Sequence, residues 1–98
     1  MANELLDCRI KAGDIVSHFK CEWNTTDDWK NLKYCYFVLY IGRIHDTAED
    51  DKYEDVVIYQ APYGDRATYK RELNEFMSLV DKKKYPDIKR EYRFEKIL

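Results

Sequence analysis

The chain has 98 residues, 45% hydrophobic and 15% aromatic, with 37% charged residues and a net charge of −2. That length supports one core rather than two, and so apolar a composition excludes a disordered chain. The acidic balance argues against a general nucleic-acid binder, which is ordinarily far more basic.

In chain order, "NELLDCRIKAG" reads as a short N-terminal helix within residues 1–12. Asn3 is its candidate cap, and Leu5, Leu6 and Ile10 have rough helical spacing. "GDIVSHFK" alternates and predicts a strand. "CEWNTTDDWKNL" (21–32) is polar apart from two Trp and reads as an excursion between strands. "KYCYFVLYIGRIH" is the clearest strand, and both of its faces are apolar. Cys35, Phe37, Leu39 and Ile41 take one face; Tyr34, Tyr36, Val38 and Tyr40 take the other. Tyr36 and Val38 are expected in the core. Phe37, Leu39 and Ile41 are expected beneath the N-terminal helix or a second copy of the chain, and Gly42 is expected at a bend or bulge.

"DTAEDDKYED" predicts an acidic turn and "VVIYQA" the next strand. Pro62 ends that strand, Gly64 supplies the turn, and Tyr63 rides on its tip. "ATYKR" predicts a short strand. Leu73, Phe76, Met77 and Val80 form a helical stripe, read as a turn of helix capping the core. "KKKYPDIK" predicts a loop. "EYRFEKIL" alternates and predicts the last strand. The whole is mainly β: a single domain over 1–98, with residues 13–98 forming a small five-stranded antiparallel SH3-like barrel and one helical turn before the last strand.

Charge is uneven along this order. Residues 1–65 carry 7 basic and 13 acidic side chains; residues 66–98 carry 10 and 6. The densest basic run, Lys82 to Lys84 with Lys89 and Arg90 nearby, reads as a solvated loop, with a local binding patch as the alternative. The cysteines are Cys8, Cys21 and Cys35, an odd number without a C-x-x-C, and the histidines are His18 and His45. With no C-x-x-C and only two His, their spacing matches no zinc-site pattern, and no cofactor motif is present. A reducing, cytoplasmic location is expected, with no signal peptide and no membrane partner.

The blocks "GDIVSHFK", "YFVLYIGRIHDT", "VVIYQAPYGD", "TYKRELNEF" and "RFEKI" resemble, in order, a small bacterial family known as domain of unknown function 1653. The matching residues are His18, Phe19, Lys20, Tyr36, Val38, His45, Val57, Tyr59, Tyr63, Gly64, Arg71, Phe76, Arg93 and Phe94. Tyr69 stands where the family usually has Trp, Glu72 where it has Pro, and Pro62 where it has Leu; the 21–32 excursion is extra. The resemblance implies an SH3-like barrel and no activity.

His18, His45, Tyr59, Tyr63, Tyr69 and Arg71 fall at strand ends and turns, where a rigid sheet usually carries a binding site. Aromatic faces with an Arg fork suit a nucleotide, a nucleic acid or a peptide. No nucleophile–base pair or catalytic motif supports an enzyme. The alternative is a structural protein, a homodimer through Phe37, Leu39 and Ile41.

Overall fold

The computed structural model describes residues 9–23, 34–48 and 52–97. Residues 1–8 of the expected N-terminal helix and most of the 21–32 excursion lie outside these residues, and residues 9–12 are not helical. The elements are β1 (Ile15–His18), a 3₁₀ turn (Phe19–Trp23), β2 (Cys35–Asp46), β3 (Lys52–Gln60), β4 (Thr68–Glu72), the helical turn α1 (Leu73–Phe76) and β5 (Phe94–Lys96). The strands form one sheet in the order β4-β3-β2-β1-β5, antiparallel throughout.

The sheet is not closed. Among the described residues no ladder joins β4 to β5. The two edges meet through side chains instead: the Arg71 guanidinium carbon lies 5.9 Å from the centre of the Phe94 ring. Phe76 from α1 stacks on Phe94 at 4.0 Å. The main core gathers Ile10, Val16, Val38, Val57, Tyr59, Leu73, Phe76 and Phe94 on the inner face. A smaller cluster of Phe19, Val80 and Ile88 lies under the loop that follows α1. Val80 belongs to this second cluster because the helix stops at Phe76, where Glu72 caps its start and Met77 its end.

β3 starts earlier than its apolar run. Lys52 to Asp55 read as part of the acidic turn, yet they pair with the far arm of β2. Cross-strand pairs account for this. Arg43 meets Asp55 at 3.2 Å, and His45 stacks on Tyr53 at 4.3 Å.

The two faces of β2 are not those its simple alternation gives. A bulge between Val38 and Tyr40 inserts Leu39 as an extra residue. A bulge resets the inside–outside phase of everything beyond it. Tyr36 and Val38 face the core, and Val38 is fully buried. Phe37 and Leu39 are 40% and 49% exposed. Ile41, expected beside them, lies opposite buried Val57 and packs against the core instead. Tyr40 turns outward and lays its ring over Gly42, where an added Cβ would stand 2.6 Å from the Tyr40 hydroxyl. Gly42 therefore serves a close contact, not the bulge.

The basic run is not uniformly solvated. Lys82 Nζ donates to the carbonyls of Ile88 and Arg90 and staples its own loop. Arg90 turns inward, donating to the Ser17 hydroxyl at 3.1 Å and the Ser17 carbonyl at 2.9 Å. Its backbone N–H and that of Lys89 go to the Glu22 carboxylate, each at 2.9 Å. No helix among the described residues is long and apolar enough to cross a membrane.

Candidate functional site

Strand alternation decides which side chains share the inner face. Tyr36 lies opposite Val16, Tyr59 opposite Val38, Tyr69 opposite Tyr59, Arg71 opposite Val57, and Phe94 opposite His18. All of these positions therefore point to one side. Toward the middle of that side they are aliphatic and close the core. Toward one end they become Tyr, His and Arg, and the packing opens into a cleft of about 220 Å³. Its walls are Tyr36, Tyr59, Tyr69 and Phe94, and its polar groups are His18, Lys20 and Arg71, with Tyr34 beside them.

The walls brace one another. Tyr59 and Tyr69 stack at 5.5 Å, and Tyr36 meets both edge-on, at 5.2 and 6.0 Å. Such edge-to-face and offset contacts are favourable aromatic geometries. Burial, together with the hydrogen bond to Tyr63, pushes the Tyr36 phenol well above its ordinary pKa. Tyr36 therefore remains an uncharged hydroxyl.

The charged edge is held from behind. Arg71 Nε donates to the Tyr59 hydroxyl at 3.2 Å, and Nη1 pairs with Glu75 one helical turn away. His18 sits edge-on to Phe94 at 5.0 Å. Its Nδ1 accepts the backbone N–H of Lys20 at 3.1 Å. Burial first, then the nearby charges of Arg93, Lys20, Arg71 and Arg90, lower the His18 pKa from 6.5 to about 4. At neutral pH the ring is uncharged with its proton on Nε2.

Tyr34 closes the cleft from a left-handed backbone, φ 71°, which is uncommon for an aromatic residue. Its carbonyl accepts the His18 N–H at 2.7 Å. Its own N–H goes to the Tyr63 hydroxyl at 3.3 Å. Strained backbone of this kind persists only where neighbours fix it.

His18, Tyr59, Tyr69 and Arg71 are thus brought together. Tyr63 is not a wall; it stands behind Tyr34 and Tyr36. His45 is not at the cleft at all. It lies nine positions beyond Tyr36 on β2, roughly 30 Å of extended strand, stacked on Tyr53. Sequence reasoning missed Lys20, Tyr34 and Phe94 as lining residues. The His18-Phe19-Lys20 and Arg93-Phe94 blocks were signals for two of them; nothing marked Tyr34. No cluster of His, Cys, Asp or Glu among the described residues could hold a metal ion.

What fold and cleft define is a small, mainly β domain with an aromatic, cation-edged recess at one end of its sheet. A family model described as "Protein of unknown function (DUF1653)" matches residues 15–96, and the chain belongs to that family. No curated protein and no solved structure matches it.

Proposed function

We propose that this chain is a non-enzymatic binding module that seats a small ligand, a nucleotide or a terminal unit of a nucleic acid or peptide, in the inner-face cleft. The observation that carries the reading is the convergence of side chains from all five strands on one open recess. Aromatic walls with few, well-held polar groups are the usual make-up of ligand sites. Tyr69 supports it further: the ring is 43% exposed at the mouth although it stacks on buried Tyr59. The fold reading that goes with it is an SH3-like barrel left open between β4 and β5. The β2-β3-β4 meander, α1 before the last strand and the return of β5 to β1 support this. The free thiols of Cys21 and Cys35 support a reducing, cytoplasmic setting.

Native mass spectrometry of the purified full chain tests the reading. The expected result is a co-purifying small molecule that is lost in Tyr69→Ala and Arg71→Ala. An adduct that persists in both variants puts the ligand elsewhere and overturns it. The exposed pair Phe37 and Leu39 favours a second reading, association through the outer face. A dimer mass abolished by Phe37→Asp would select that reading instead.

A further inference from the structure

We infer that the group this cleft takes is an oxyanion, a phosphate or a carboxylate, carried on a single flat ring. The inference rests on the binding reading above and specifies its ligand. Three observations lead to it: the free donors, the sign of the charge and the size of the recess.

The cleft holds donors without acceptors. Among the described residues nothing accepts from Lys20 Nζ, from Arg71 Nη2 or from His18 Nε2–H. The other nitrogens of Arg71 and His18 are committed to Tyr59, Glu75 and the Lys20 backbone. An Arg held by two partners presents its remaining edge in a fixed direction. That is the arrangement that recognises an oxyanion by charge-assisted hydrogen bonds.

The sign of the charge is local and opposite to that of the whole chain. The net charge is −2, yet among the described residues no carboxylate lines the cleft and two cations do. Arg90 and Arg93 add to the positive field, since both disfavour a proton on His18. Glu75 offsets one edge of Arg71 from outside the lining. An uncharged histidine that still donates from Nε2 is compatible with an anion over a broad pH range.

The size limits the part of a ligand that sits inside the recess. A recess of about 220 Å³ is smaller than the ~300–1,000 Å³ of sites for drug-sized molecules. It exceeds the ~150 Å³ apolar cavity that accommodates benzene. One six-membered ring and one small anionic group fit that interval. The ring would lie against Tyr69, and the anion at Lys20 and Arg71.

Isothermal titration of the full chain with four probes decides the matter: phenyl phosphate, benzoate, benzyl alcohol and inorganic phosphate. The expected order puts phenyl phosphate or benzoate at least tenfold tighter than benzyl alcohol, and tighter than inorganic phosphate. The stronger of the first two identifies which oxyanion is read. Arg71→Gln should collapse that preference. Lys20→Gln should weaken it severalfold, and because the Lys20 side chain has no bonding partner among the described residues, this variant keeps the test valid if Arg71→Gln unfolds. Benzyl alcohol binding as tightly as phenyl phosphate overturns the anion while leaving the binding reading intact. Inorganic phosphate binding as tightly as phenyl phosphate overturns the ring. No binding by any probe at millimolar concentration removes the binding reading itself.

Discussion

The Tyr63 hydroxyl accepts the backbone N–H of Tyr34 at 3.3 Å, so the Pro62–Gly64 turn reaches across the sheet to fix a left-handed aromatic residue beside the cleft. The same hydroxyl lies 3.5 Å from that of Tyr36. Tyr63→Phe removes the hydroxyl that accepts from the Tyr34 N–H. The expected cost is about 1–2 kcal/mol, or a fall in melting temperature of roughly 4–8 °C for each kcal/mol in a domain of this size. A calorimetric melting point within a degree of the parent would mean that the turn does not hold Tyr34.

Tyr36 packs against Tyr59, Tyr69, Phe94 and Tyr63 at once. Tyr36→Ala therefore removes a shared wall of core and cleft. Its expected cost is about 3 kcal/mol or more, in the range for large aromatic deletions. Denaturant unfolding reads it; a loss below about 1 kcal/mol would put Tyr36 outside the core.

His18 makes stability depend on acid. Its pKa falls from 6.5 to about 4 on folding, so between those values the unfolded chain binds the extra proton. Stability is highest above pH 6.5 and declines as the pH falls toward 4, where the effect saturates. With the ring only half-buried, solvent screening limits the loss to about 1–2 kcal/mol. Urea titrations at pH 7.0, 5.5 and 4.5 should show this decline shrinking in His18→Gln, while the carboxylate contribution stays common to both proteins. Equal pH slopes for the two would contradict the buried, uncharged ring. Binding of phenyl phosphate should then change little between pH 6 and 8 for any reason traceable to His18.

Gly42 and Tyr40 form a coupled pair. A Cβ at position 42 would stand 2.8 Å from Tyr40 Cζ, and the Tyr40 hydroxyl is tied to the Arg43 carbonyl at 3.1 Å. Gly42→Ala should cost about 1 kcal/mol by displacing that ring. In a Tyr40→Ala background it should cost almost nothing. Additive losses in this double-mutant cycle would show that the two residues do not interact.

Much of the inner face could be read from period-two alternation. Tyr36 with Val38, Val57 with Tyr59, and Tyr69 with Arg71 share a face in any regular strand, and their turns are marked by Pro62 and Gly64. What alternation could not give was the phase of β2 beyond Val38. The bulge there carries no Gly or Pro, so Ile41 read as an outward residue although it packs inward. His45 was grouped with His18 because strand ends look alike in sequence, whereas the length of β2 separates them. Arg90 looked like surface charge because its partner Ser17 is 73 positions away. Lys20 and Tyr34 flank strands where no periodicity applies.

The most direct test of the cleft is a ¹H–¹⁵N correlation map of the full chain with phenyl phosphate added. The largest shifts should fall on His18, Lys20, Tyr34, Tyr69 and Arg71, with His45 and Tyr53 at the far end of the β2–β3 ribbon unmoved. Shifts centred on that ribbon or on Phe37 and Leu39, or none at saturating probe, would contradict a binding site on the inner face.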